Sequence, residues 1–432
     1  MTLEETVIIT TLAGELSLIL TRVKSGEARR VASTIAAASV LAYLLLCSAS
    51  ERSLAGFIGL TSTAIGLVAV LAAYSLLSED VSAHNALTVA LCSSATLLAA
   101  STDLIRLFIA WEVLSVSVVA LTAYHRDKEG AEAALKYIML CGAGTALALA
   151  GIALTVVETG NTSIEAARSA SPLAKTLLLA GFGVEAALFP LHFWLPDAHM
   201  AAPSTASAVL SGIAIESAAV LVYRLVGGDQ LMRTIIAPLA LAGALVGNLS
   251  ALRQDDLKRL LAYSSVANVN YILLAWSTGN ALATRYAFLH ILAHGLLKAS
   301  LFIVSGVLLA VYGTRSLSRL SGTASRDNIL KFTVVLAAMG LTGAPPLPTF
   351  WSELYMGVGL FQSSLALGLG FLASVVISFA YYLRVVYTLA AGSGEPLHGK
   401  RLPSILALSL VSASILVFLL YAKVLENFLP SL

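Results

Sequence analysis

Apolar stretches of about twenty residues, the length a helix needs to cross the roughly 30 Å hydrocarbon core of a bilayer, recur from one end of this chain to the other. Only 12% of its residues are charged and 58% are hydrophobic, whereas a soluble domain carries about twice that share of charge to face water. The chain therefore reads as an all-α, polytopic integral membrane protein. Its 432 residues would make about three soluble domains, but no polar stretch is long enough to fold alone, so 1–432 is expected to be a single membrane domain. With 26 basic against 24 acidic residues there is no basic surplus for nucleic acid, which excludes that class of partner. Cys47, Cys92 and Cys141 lie inside apolar runs, without the number or spacing of a zinc or iron–sulfur site. They are expected to pack in the core, and no metal, cofactor or redox centre is expected.

Fourteen spans are expected: 5–22, 31–50, 53–78, 85–101, 104–124, 132–157, 173–191, 203–226, 234–252, 259–278, 284–312, 331–358, 365–390 and 403–423. Alanine, leucine, glycine and serine dominate them, and small residues let membrane helices approach closely. Glu4 and Glu5 precede the first span, unlike the basic start of a cleaved signal peptide. Counted on alternate sides, the basic residues gather on one, among them Arg29, Arg30, Lys258, Arg259 and Arg315. The richer side is cytoplasmic by the positive-inside rule, which puts both termini outside; the multi-pass chain is expected in the cell membrane.

Two spans are interrupted by proline. Pro190 and Pro196 fall in 186–199, and Pro345, Pro346 and Pro348 fall in 343–354. Proline removes a backbone donor and clashes with the preceding turn, so both helices should unwind partway, which is tolerated at membrane depth only where protein or a water-filled cavity supplies hydrogen bonds. Prolines are also common in membrane helices generally, but a shared Pro-Leu, Phe-Trp and following acid in both segments hints at an internal repeat of about five helices. Paired broken helices are the pattern of ion-coupled transporters built from repeats.

Lys136, Lys298 and Arg384, with Glu15, Glu112, Glu185, Glu216 and Glu353, fall within the spans. A charge there costs a few kcal/mol or more, faces the bundle interior and commonly marks an ion pathway. Glu15 and Arg384 lie near span ends, where snorkelling or a helix-to-helix pair explains them. His290, His294 and Lys298 recur every fourth residue, one helix face covering about 12 Å of depth. Such a stripe suits a proton relay, because histidine changes charge near neutrality and a desolvated lysine loses its proton readily. Interhelical hydrogen bonding is the alternative; metal binding lacks a carboxylate on the same helix.

The segments GVEAALFPLHFWLPDAHMAAPSTASAVLSG (183–212), DDLKRLLAYSSVANVNYILLA (255–275), HILAHGLLKASLF (290–302) and GAPPLPTFWSE (343–353) resemble the antiporter-like membrane subunits shared by respiratory complex I, membrane-bound hydrogenases and Mrp-type cation/proton antiporters. DLIRLFIAWEVLS (103–115) and AEAALKYIMLCGAG (131–144) extend the resemblance, which runs from about Asp103 to Tyr387. It implies fourteen helices with two inverted five-helix repeats and broken helices seven and twelve. On that scheme 1–84 holds three N-terminal helices, 85–226 the first repeat, 232–390 the second and 401–432 a C-terminal helix. No lateral helical arm is expected after the last span.

The resemblance also implies an ion path in the membrane plane. Glu112 takes its span-five position, His290, His294 and Lys298 the span-eleven positions and Glu353 the span-twelve position; Lys136 is added as a charge within span six. Two positions depart: Glu185 and Glu216 stand where the family has lysines. Two nearby buried glutamates cannot both stay ionised without a cation, so an altered site for a proton or Na⁺ is expected there. The implied function is a proton- or Na⁺-translocating subunit of a complex I-related, hydrogenase-like or Mrp-type complex, with other membrane and redox subunits and membrane lipid as partners. The absence of nucleotide-loop, haem-ligand and cluster-cysteine motifs implies no redox chemistry of its own, even as part of an NADH-quinone oxidoreductase-like or hydrogenase-like enzyme. A non-pumping structural homologue and a free-standing secondary transporter stay open as alternatives.

Overall fold

The computed structural model describes residues 2–21, 26–325, 327–392 and 401–419. Arg22, Lys24, Arg326, Lys400 and Lys423, which enter the charge count, lie outside the described residues. Helices account for nearly all of the rest: α1 (Leu3–Thr21), α2 (Gly26–Ser50), α3 (Leu54–Leu76), α4 (Val81–Ala100), α5 (Leu104–Thr122), α6 (Lys128–Thr159), α7 (Ile164–Ser169), α8 (Pro172–Glu185), α9 (Trp194–Ala201), α10 (Ser204–Val209), α11 (Ile215–Val226), α12 (Gln230–Leu252), α13 (Leu257–Ser277), α14 (Ala281–Tyr312), α15 (Asn328–Leu341), α16 (Pro348–Ser363), α17 (Leu365–Ala390) and α18 (Arg401–Leu419). Among the described residues, nine spans are individually long and apolar enough to cross a membrane. The short helix α7 was not legible in the apolar pattern.

Local chemistry sets the ends. Asp80, Asp103, Asp127, Asp229, Asp256, Asn280 and Asp327 each accept a backbone N–H from the first turn of the helix that follows. Exposed Leu12, Leu46, Met139, Val157 and Val376 cover the outside, as a hydrocarbon solvent permits. At the centre stands α14, buried from Ala283 to Leu308 along nearly every side chain and packed against α3, α10, α13, α15, α16 and α18.

Both expected breaks are present. Between α8 and α9, Pro190 lies in the connecting turn, whereas Pro196 sits in the first turn of α9 and breaks nothing. There a missing N–H leaves no intrahelical bond unmade. Pro345 and Pro346 likewise occupy the turn after α15, and Pro348 opens α16 as its first residue. Carbonyls freed by the breaks are taken up by side chains from within the protein: Trp194 Nε1 donates to the Val184 carbonyl (2.9 Å), Asn270 Nδ2 to that of Ala187 (3.0 Å) and Thr349 Oγ1 to that of Gly340.

Span eight contains a feature that periodicity did not reveal. Between α10 and α11, Leu210–Ala214 form one π-helical turn, a geometry that concentrates at functional sites. A Cβ on Gly295 of α14 would lie 2.9 Å from the Gly212 carbonyl and 3.0 Å from Glu216 Oε2, so the absence of side chains lets this turn press against α14.

Several features recur 153 positions apart. Asp103 bridges to Ser163 as Asp256 does to Ser316. The helices α6 and α14 each have 32 residues and end on a left-handed glycine, Gly160 and Gly313. Tyr137 therefore corresponds to His290, and Ser115 to Asn268.

Candidate ion-translocation site

Glu185 is the last residue of α8, where the helix stops, and its side chain is fully buried. Its Oε1 accepts from Tyr137 Oη (2.5 Å) and its Oε2 lies 2.8 Å from Ser115 Oγ; the two hydroxyls are themselves 2.9 Å apart. Glu112, one turn before Ser115 on α5, is half-buried, accepts from Thr145 Oγ1 (3.1 Å), and is within electrostatic reach of Glu185.

Glu216 follows the π turn. Its Oε1 meets His294 Nδ1 at 2.5 Å, while Glu216 Oε2 and His294 Nε2 have no partner among the described residues. A cavity of about 10 Å³ whose lining mixes Thr61, Ser62 and Ser217 with Ile58, Ile213 and Ile291 borders this pair. His294 stacks on His290 with ring centroids 5.7 Å apart. Asn268 Nδ2 donates to the Ser264 carbonyl (2.7 Å), so its Oδ1 faces His290 Nε2 (3.0 Å) and that nitrogen carries the proton. His290 Nδ1 is 2.8 Å from Ser352 Oγ, whose hydroxyl can turn instead to the Thr349 carbonyl (3.0 Å). His290 can thus gain a second proton without losing a hydrogen bond.

Lys298 is fully buried one turn further along α14. Its Nζ donates to the Leu261 carbonyl (2.7 Å) and to Ser264 Oγ and lies 5.7 Å from the Tyr382 ring centroid. It is within electrostatic reach of Glu216. Glu353, 6% exposed, faces a cavity of about 300 Å³ whose lining includes Phe350, Leu354, Phe361 and Phe371. Its carboxylate packs on Gly343, at φ +67°. Any Cβ at Gly343 would collide with Glu353 Oε2 and enter a backbone region that costs an L-residue about 1–2 kcal/mol. Gly343→Ala is expected to lower thermal stability and to reduce ion flux as far as Glu353→Gln does; unchanged flux in reconstituted vesicles would remove Glu353 from the site.

Lys136 corrects an expectation. Its side chain is 47% exposed and pairs with Glu132 (2.9 Å) and Asp197 (2.8 Å), while the adjacent Tyr137 turns inward. Successive helical residues point about 100° apart, and the ammonium escapes deep burial by staying on the outer face with two carboxylates. Lys258 corrects another, because the charge count placed it in a loop, yet it is 1% exposed and donates to the Ala202 carbonyl. Arg384, expected to snorkel or to pair with another helix, donates instead to the Gln254 carbonyl in the connection between α12 and α13.

Other buried polar groups escaped the sequence reading. His199 stacks on Phe302 (4.7 Å), has neither ring nitrogen bonded among the described residues and lies within electrostatic reach of Lys258 and Lys298. His84 Nε2 meets Thr205 Oγ1 at 2.9 Å. Apolar surroundings at both histidines, and the position of Tyr137 matching His290, were the signals available. Among the described residues no cluster of three metal-ligating side chains forms.

A helical bundle that carries carboxylates and imidazoles along its interior, beside two broken helices, belongs to the class of polytopic membrane proteins with a buried polar axis. Residues 101–378 match the family described as NADH:quinone oxidoreductase/Mrp antiporter, TM, and the chain belongs to that family. It is 32% identical over 319 residues to NADH-quinone oxidoreductase subunit N of Desulforudis audaxviator (strain MP104C), a match covering 70% of this chain and 63% of that protein. The match thus spans less than two thirds of the relative. In fold it is similar to a chain of an archaeal membrane-bound sulfane sulfur reductase, with a TM-score of 0.89 over 98% of this chain and 96% of the other at 23% identity. A chain of respiratory complex I from Thermus thermophilus gives a TM-score of 0.80 over 98% of this chain and 99% of the other at 26% identity.

Proposed function

We propose that this chain is the ion-translocating membrane subunit of a multi-subunit complex of the complex I, membrane-bound hydrogenase or Mrp type. Ions move through Glu112, Glu185, Glu216 and His294, and from there along α14 both through His290 towards Glu353 and through Lys298 towards His199, Lys258 and one surface. The chain crosses the membrane fourteen times as two inverted halves, 85–226 and 232–390, with both termini outside. The observation that carries this reading is the buried Glu216–His294 contact between α11 and α14 with His290 stacked beside it, because carboxyl and imidazole can exchange a proton directly while Glu216 Oε2 and His294 Nε2 keep no partner among the described residues. Lys136, salt-bridged on the outer face, is left out of the path.

The test is purification of the tagged chain from its native membrane, identification of any copurifying subunits, and reconstitution for ion-flux measurement. Copurification with coupled flux is expected, and replacing Glu185 and Glu216 together by leucine should abolish that flux. Purification without partners, but with solute transport, would instead favour a free-standing transporter. Unchanged flux in the double variant would leave those two glutamates an assembly role only.

A further inference from the structure

The ring of Ser115, Tyr137 and Glu185 can be read by counting protons. Three oxygen-to-oxygen contacts of 2.5, 2.8 and 2.9 Å close a triangle. Three hydrogen bonds need three protons, and the two hydroxyls supply one each. With an ionised carboxylate both hydroxyls would point at Glu185, and the Ser115–Tyr137 contact would set two lone pairs against each other. With a carboxylic acid every contact is satisfied: Glu185 donates to Ser115, Ser115 to Tyr137, and Tyr137 back to the other carboxyl oxygen. No cation is salt-bridged to Glu185 among the described residues, and the neighbour within its electrostatic reach is a second carboxyl group, that of Glu112. Contacts this short also leave no room for a metal ion between the oxygens.

The internal correspondence adds an independent observation. Ser115 and Tyr137 occupy the positions of Asn268 and His290, and both pairs touch at nearly the same distance, 2.9 and 3.0 Å. One half of the molecule thus holds an amide–imidazole pair where the other holds two hydroxyls. A hydroxyl passes on its proton only while receiving another, so this half needs a partner that donates and accepts together; a carboxylic acid does both.

We infer that Ser115, Tyr137 and Glu185 form a neutral proton-exchange ring, so that the ion handled at Glu185 is a proton and not sodium. The inference rests on the proposed translocation function and names the ion at one of its sites. Exchange breaks three O–H bonds and forms three: the acid proton on Oε2 passes to Ser115, the Ser115 proton to Tyr137 and the Tyr137 proton to Oε1. The acid proton has then changed oxygens with no charge separated. Ser115 lies three residues after Glu112, one turn along α5, and is thus the ring member on the Glu112 side.

Infrared difference spectroscopy of the purified complex in H₂O and D₂O at neutral pH tests the ring apart from transport. A carboxylic C=O band that shifts in D₂O is expected in the wild type and in Glu112→Gln, and should be missing in Glu185→Gln. Tyr137→Phe keeps the edge-to-face packing on Trp194 (4.8 Å); it should move that band and lower proton flux about tenfold or more. Proton flux should not respond to Na⁺. Loss of a carboxylate band in Glu185→Gln in place of the acid band, full flux in Tyr137→Phe, or flux that saturates with Na⁺ and disappears in Glu185→Gln would each overturn the ring. Normal flux in Lys298→Met together with the expected bands would leave the ring standing and discard the longer path.

Discussion

Replacing Lys298 by methionine is expected to abolish coupled ion flux while leaving the subunit in its complex. Methionine nearly matches the stem of lysine and suits the apolar surroundings on α14, so packing should survive. The bonds lost run from Nζ to the Leu261 carbonyl and to Ser264 Oγ; Ser264 keeps the Tyr382 hydroxyl at 3.0 Å as a partner. A net hydrogen bond of this kind contributes about 1–2 kcal/mol, too little to unfold a helix buried on all sides. The proton-carrying group is lost entirely, and with it the electrostatic link from Glu216 to His199 and Lys258. Flux should fall about 100-fold or more, read with a pH-sensitive dye in vesicles holding the reconstituted complex. Glu112→Gln should behave in the same way. Full flux in both variants would discard the path.

Breaking the Glu216–His294 pair from one side is expected to cost far more stability than removing it whole. Both side chains are at most 1% exposed and meet at 2.5 Å. Glu216→Leu strands an imidazole nitrogen, and His294→Leu strands a carboxyl group; a buried ionic group left alone costs about 3–5 kcal/mol. The double leucine variant replaces both with apolar bulk and should recover most of that loss, because the two effects share one contact and are not additive. Thermal unfolding of the purified complex measures the stability arm, and flux should stay lost in all three variants. A double variant as unstable as the sum of the singles would show that the pair is not a coupled unit.

Much of this architecture is already present in the one-dimensional pattern. Helix positions follow from the length of apolar runs, and helix starts from Asp and Ser caps such as Asp103 and Asp256. The two breaks follow from Pro190 and from Pro345 and Pro346, since backbone rules act over a few residues and need no tertiary information. The face shared by His290, His294 and Lys298 was equally legible, because helical spacing alone places them together. What the sequence could not decide was which way each helix faces. In a soluble helix the apolar side marks the interior, but in a bilayer lipid and protein core are both apolar, so hydrophobicity identifies a span without identifying its inner face. Lys136 and Tyr137 are neighbours in sequence, yet one pairs with carboxylates on the outer face and the other closes a buried ring. Lys258 is read as a loop charge from its place near a span end and is enclosed by packing against the Ala202 carbonyl. The partners of Glu185 and Glu216 come from helices 48 to 78 residues away in sequence, and only the packing of those helices, set by small residues at close crossings such as Gly212 and Gly295, brings them together.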